Sequence, residues 1–234
     1  STPDIEQGTD LGIATALYGV ASKYNIGYIL IGQSFRTEGI APLEWSYLDG
    51  KYLKAVHKRF GTISIRKWKA DDPGFNLDIF PLFYYTVIRR IKTITPLYYE
   101  NYIRDEANKI MSRDLNWVYP GTHYYDNLYQ ALYSYVLRVK FKIDRRIYNY
   151  SALIRSGQMD RTHALNLVQN PSIIEDSKII DLCIKRLGIT QEEFEEYLAL
   201  APKTFRDYPN NYNLIRYCKL PIWLLSRLNL LPKI

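Results

Sequence analysis

The chain has 234 residues, 47% hydrophobic and 24% charged, which suits one large or two small soluble domains with a real core. Two cysteines, Cys183 and Cys218, exclude a disulfide scaffold. Neither has a metal-ligand neighbour in sequence, and no signal peptide or bilayer-length apolar run is present, so a reducing cytoplasm is the expected compartment. The net charge of +7 fits an anionic partner or a merely basic enzyme, but scattered basic residues argue against nucleic acid.

The opening "STPDIEQGTD" has no methionine and reads as a chain entered mid-domain. "TDLGIATALYGVASKYN" has helical spacing, with Thr9 as N-cap and Ile13, Leu17, Val20 and Ala21 as one apolar row. "GYILIG" follows as a short strand without alternation, the signature of a parallel strand buried on both faces. "YLDGKYLKAVHKRFG" is a second helix, with Leu48, Tyr52, Val56 and Phe60 on one face and Gly61 at its end. "TISIRKW" reads as a strand, "ADDPGFN" as a loop, and "LDIFPLFYYTVIRRIKTI" as an apolar helix with Pro81 in its first turn. Beyond residue 101 the pattern is helical over 101–113, 125–140, 144–156, 160–169, 175–187 and 190–200. Thr190 and Glu193 form a capping box, and Gly157 and Gly188 sit at helix ends. The expected division is an α/β part over 1–95 and a helical part over 96–234.

The chemistry concentrates after the first strand, in "GQSFRTEG", where α/β proteins bind ligands. Gly32 permits a sharp turn. Gln33, Ser34 and Thr37 offer neutral hydrogen bonds, and Arg36 offers a donor fork for phosphate or carboxylate. Glu38 offers a hard oxygen for Mg²⁺ or an acceptor for ribose. Trp45, Tyr47 and Tyr52 can stack on a base or sugar, although 22 tyrosines also suit plain packing. Arg36 and Glu38 read equally as solvated loop charges. Asp4, Glu6 and Asp10 crowd the first helix start, where acids favour the dipole. His123 and Asp126, three apart at a helix start, suit proton transfer or capping. Lys142, Asp144, Arg145 and Arg146, followed by Tyr148, Ser151 and Arg155, can hold an acidic sugar or diphosphate, or form a solvated turn with Asp144 as N-cap. His57 and His163 read as surface residues. The end, 212–234, is apolar and basic without an acid. It reads as a packed terminal helix or as an interfacial helix on a membrane surface.

Three stretches carry a resemblance. "TPDIEQGTDLG" with "YILIGQSFRTEGIAPLEWSYLDGKYLKAVHKRFG" resembles the middle of N-acetyl sugar amidotransferases of lipopolysaccharide O-antigen and pseudaminic-acid-type pathways. "GTHYYDNLYQALYSYVLRVKFKIDRRIYNYSALIRSGQMDRTHAL" and "GITQEEFEEYLALAPKTFRDYPN" resemble the same family, so the likeness runs over most of the chain. The resemblance implies the C-terminal part of a PP-loop ATP pyrophosphatase (adenine nucleotide alpha hydrolase-like) parallel-sheet domain, followed by a mostly helical domain. It implies ATP and Mg²⁺, adenylation of an N-acetyl group on a sugar or sugar-nucleotide, and displacement of AMP by ammonia from a glutaminase subunit. It places Gly32, Gln33, Arg36, Thr37 and Glu38 at ATP, with Glu38 also at the metal. Thr9, Asp10, Trp45, Tyr47, Lys51, Arg145, Arg146 and Arg155 go to the substrate, and His123 and Asp126 to catalysis. Two departures stand out: these residues contain no S-G-G-x-D-S phosphate loop, and Asp126 occupies a position where the family carries glutamate. The segment is therefore expected to be inactive alone. A PP-loop enzyme acting on tRNA and a non-catalytic helical interaction module are the alternatives.

Overall fold

In the computed structural model, which describes residues 2–61, 78–119, 127–170 and 176–227, the first helix α1 spans Gln7–Lys23. Glu6, not Thr9, holds the N-cap position. The buried face runs through Leu11, Thr15, Tyr18 and Ala21, while Ile13, Leu17 and Val20 of the expected apolar row are exposed. The helix is apolar nearly all round, so periodicity does not say which side faces inward. Tertiary contacts decide it. Tyr18 stacks on Tyr85 at 5.6 Å, and its hydroxyl lies 3.0 Å from that of Thr93. Tyr18 and Ala21 then close over Ile29 and Ile91.

Strand β1 (Tyr28–Leu30) pairs in parallel with β2 (Lys92–Ile94), Tyr28 opposite Lys92 and Leu30 opposite Ile94. Ile29 is buried, whereas Tyr28 and Leu30 are 58% and 69% exposed. Among the described residues, the strand expected to be buried on two faces is thus covered on one, where α1 packs. β2 lies inside the stretch expected to be helical. There, α3 (Ile79–Phe83) runs into a π-helical turn at Tyr84–Ile88, and Arg90 takes a left-handed backbone with φ 54°. That conformation ends the helix, and the Ile91 N–H turns back to the Tyr85 carbonyl. Helix α2 (Gly50–Phe60) starts at Asp49, whose side chain accepts the Lys51 and Tyr52 N–H groups. Tyr52 is fully buried, but Leu48 and Phe60 of the expected face are exposed. The strand expected at "TISIRKW" and the following loop lie outside the described residues.

From residue 104 the elements are α4 (Arg104–Leu115), α5 (Tyr129–Phe141), α6 (Arg145–Arg155), α7 (Arg161–Gln169), α8 (Ser177–Leu187) and α9 (Gln191–Ala199). These agree with the expected windows to within a few residues at each end. Asp144, Asp160, Asp176 and Thr190 accept backbone N–H groups at the starts of α6 to α9, and the Thr190–Glu193 capping box is formed. Leu132 of α5, Ile180, Cys183 and Ile184 of α8 and Phe194 of α9 make one core. The described residues close with a 3₁₀ turn (Phe205–Asp207), α10 (Tyr212–Tyr217) and α11 (Lys219–Arg227). Among the described residues the fold is therefore mostly helical with a small two-stranded parallel sheet, an α/β arrangement.

Two compact units result, and their boundary is not the sequential one expected at 95/96. The sheet unit holds Thr2–Gly32, Leu43–Pro96 and Lys203–Ile234, and the helical unit holds Gln33–Pro42 and Leu97–Pro202. The polar loop after β1 therefore folds with the helices, and the final segment folds with the sheet. The reason for the second exchange is Asp49. It accepts the Asn211 N–H at 2.5 Å and Nδ2 at 2.9 Å, and the Tyr47 hydroxyl at 3.1 Å. Tyr47 stacks on Phe205 at 4.0 Å between ring centroids.

Candidate functional site

The loop forms a turn closed at both ends. The Thr37 and Glu38 N–H groups donate to the Ser34 carbonyl at 3.2 and 3.0 Å, and the Ser34 N–H donates to Glu38 Oε1 at 3.2 Å. Burial pushes the Glu38 carboxyl above its ordinary range, against the Ser34 hydrogen bond, which lowers it. Gly39 takes φ +80°, and a Cβ there would sit 2.4 Å from the Tyr148 carbonyl oxygen on α6. Only glycine fits so close an approach with that backbone.

A second clasp lies just past α6. Ser156 Oγ donates to the Arg36 carbonyl at 2.9 Å, and Gln158 Nε2 reaches Ser156 Oγ at 3.1 Å. The same amide nitrogen reaches the Tyr102 carbonyl at 3.1 Å, and its oxygen accepts the Arg104 N–H at 2.9 Å. Arg36 of the loop and Arg104 of α4 are thus tied through one relay. Phe35 meets Tyr98 edge-to-face at 5.1 Å, and the Arg36 guanidinium lies 5.8 Å from the Phe35 ring centroid.

Among the described residues, four buried side-chain polar atoms have no hydrogen-bond partner: Ser34 Oγ, Arg36 Nε, Arg104 Nε and Asn149 Oδ1. All four belong to the helical unit. Arg104 Nε is 3.8 Å from Asp105 Oδ1, an ion pair without a hydrogen bond. Leaving such an atom unsatisfied costs about 1–3 kcal/mol. The relay and the Gly39 contact tie together the elements that carry these atoms. Three of the atoms can donate and one accepts. Each donor among them would pair with an acceptor oxygen, and Asn149 Oδ1 with an N–H or O–H.

Arg145 is buried, donating to Gln130 Oε1 at 2.5 Å, with its guanidinium 4.4 Å from the Tyr133 ring centroid. Arg146 clasps Asp144 (2.7 Å) and the carbonyls of Leu167, Val168 and Asn170 at the end of α7. Arg155 is exposed and donates to Ser151 Oγ at 2.7 Å. In the sheet unit, the Tyr47 ring and hydroxyl are engaged in the core described above. Thr9 and Lys51 are exposed, and Trp45 is half-buried. Asp10 has its carboxyl raised by burial and then by the Glu6 charge. Gly32 and Gln33 are exposed where the chain leaves one unit for the other. His123 and Asp126 lie outside the described residues.

For Mg²⁺, the carboxylate on the loop is that of Glu38. One Glu38 oxygen is engaged by the Ser34 N–H, and burial raises its carboxyl above the ordinary range. Among the described residues no group of three His, Cys, Asp or Glu side chains is placed to hold a metal ion.

Arg104, Asn149, Ser156 and Gln158 escape the sequence reading. One signal was present: Arg145, Asn149 and Ala152 share a helical face by spacing, and a polar residue there is buried. The family model described as LPS biosynthesis protein WbpG-like, C-terminal domain, matches residues 98–220. No curated protein and no solved structure matches the chain. Among the described residues no helix is long and apolar enough to cross a membrane.

Proposed function

The chain belongs to the WbpG-like C-terminal domain family of LPS biosynthesis proteins, and we propose that it supplies part of the substrate site of an ATP-dependent sugar amidotransferase. The reaction we assign is adenylation of an N-acetyl group on a sugar or sugar-nucleotide, followed by displacement of AMP by ammonia. A glutaminase subunit is the proposed source of that ammonia. The observation that carries the reading is the pair Arg36 and Arg104, joined by Ser156 and Gln158, with buried donor nitrogens lacking a protein partner.

ATP supplies the activating chemistry: an amide oxygen leaves poorly, and AMP leaves well. The chain's own residues bind and orient. Arg36 and Arg104 offset charge on phosphate oxygens, in surroundings where little water competes for the donors. Ser34 Oγ donates to a further acceptor oxygen. Asn149 Oδ1 accepts an N–H, such as that of an acetamido group. Ser156 and Gln158 fix the backbone of the two arginines, so that their placement does not have to be recovered in the transition state. The phosphate-gripping sequence S-G-G-x-D-S is not among these residues.

The test uses the full-length polypeptide with ATP, Mg²⁺, ammonia and a panel of N-acetylated sugars and sugar-nucleotides, reading pyrophosphate release. Release is expected to depend on the sugar. Arg36→Ala and Arg104→Ala are each expected to lower kcat/KM about 10–100-fold, the range of a lost charged hydrogen bond. Arg146→Ala, whose donors hold α7, is expected to lower stability instead. A folded, ATP-binding enzyme that releases no pyrophosphate with any sugar sinks the proposal.

A further inference from the structure

The last described helices turn their described side chains outward. Asn211 is buried and anchored, with its N–H and Nδ2 on Asp49 and Nδ2 also 3.0 Å from Asp78 Oδ1. Tyr212 closes that anchor edge-on against Phe205 at 5.4 Å. Past Tyr212, every described side chain of α10 and α11 is exposed, with Cys218 between them half-buried. The exposed set includes Leu214, Ile215, Trp223, Leu224 and Tyr217, the last at 86%. Apolar and aromatic surface of this extent is unfavourable in water. The helices are too short to span a bilayer, with six and nine residues.

Charge identifies the occupant. From Tyr208 to Ile234 there is no acid, and Arg216, Lys219 and Arg227 lie on the two described helices. The Arg227 guanidinium sits 4.6 Å from the Trp223 ring centroid, a cation beside an amphipathic ring. Tyr and Trp favour the level of lipid headgroups, and basic residues favour anionic ones. A second copy docking by the same face would set these cations against their own kind. We propose that α10 and α11 form an interfacial patch that seats on an anionic phospholipid bilayer, held to the protein through Asn211. The patch is independent of the substrate site and of the reaction assigned to it.

The experiment is flotation of the full chain with vesicles of phosphatidylcholine alone or mixed with phosphatidylglycerol, at low and high salt. Binding is expected to the mixed vesicles at low salt and to weaken as salt screens the charges. Each basic residue at such a surface is worth about fivefold in affinity. The variant R216Q/K219Q/R227Q is therefore expected to lose on the order of a hundredfold. Trp223→Asp is expected to weaken binding as well. Circular dichroism and urea midpoints should stay at wild-type values, since all four side chains are exposed. Absence of flotation at low salt overturns the proposal, as does undiminished flotation of the triple variant. It is also overturned if Trp223→Asp abolishes self-association while vesicle binding is unchanged.

Discussion

Gly39→Ala is the substitution that most directly tests how the loop is held. Two costs separate cleanly. The first is the left-handed backbone, φ +80°, which penalises an L side chain by about 1–2 kcal/mol. The second is contact: the new Cβ would lie 2.4 Å from the Tyr148 carbonyl oxygen and 2.9 Å from its carbon. Those are backbone atoms inside α6, so the loop must retreat by about 1 Å to reach ordinary contact. That retreat stretches the Ser156–Arg36 hydrogen bond, worth about 1 kcal/mol, and loosens the loop's packing. Gly188 supplies the control, because it has φ +72° in the same unit and no atom within 4 Å of its Cβ position. Gly188→Ala should therefore show the backbone cost alone. Urea denaturation of both variants is expected to place Gly39→Ala about 1–3 kcal/mol below Gly188→Ala. Pyrophosphate release should fall with Gly39→Ala and not with Gly188→Ala. Equal destabilisation by the two substitutions would refute the claim that the loop is seated on α6.

Asp49→Ala removes the N-cap of α2 and the acceptor for Tyr47 and Asn211 together, and is expected to cost about 3–5 kcal/mol in urea. A loss below about 1 kcal/mol would show that the terminal segment is not anchored there. Glu38 carries a pH signature. Its carboxyl is raised by burial, so the folded chain holds that proton more tightly than the unfolded one. Between the unfolded and folded values, stability falls as pH rises. Glu38→Gln keeps an acceptor for the Ser34 N–H without that slope. Wild type minus Glu38→Gln should thus decline from acid to neutral pH, and a difference growing with pH would mean that the carboxylate is the favoured form.

What the sequence discloses depends on whether the determinant is local. The helices from α5 to α9 are legible because apolar spacing and the caps Asp144, Asp160, Asp176 and Thr190 act within a turn. The facing of α1 is not legible, since Ile13 and Leu17 are as apolar as Leu11, and the choice is made by Tyr85 and Thr93 far along the chain. β2 is hidden because three residues, Lys92–Ile94, cannot display a period inside an apolar run. Tyr47 shows the ambiguity of a tyrosine-rich chain: stacking on a ligand and stacking on Phe205 use the same chemistry.

The candidate site divides along the same line. The polar character of Gln33–Glu38 is plain in the sequence, but its partner is not. Ser156 meets Arg36 across 120 residues, and Gly39 meets Tyr148 across a similar span. The family match covers 98–220 and so includes Arg104, Asn149, Ser156 and Gln158, yet it leaves out the loop. The loop nevertheless folds with 97–202 and not with the strand it follows. The helical unit is therefore completed by ten residues from upstream of the matched domain, and those residues bring Ser34 and Arg36. A change in the loop should be felt in α6, and a change at Ser156 or Gln158 should be felt at Arg36. That coupling distinguishes a built site from a polar loop in solvent, where substitutions at such distances would act independently.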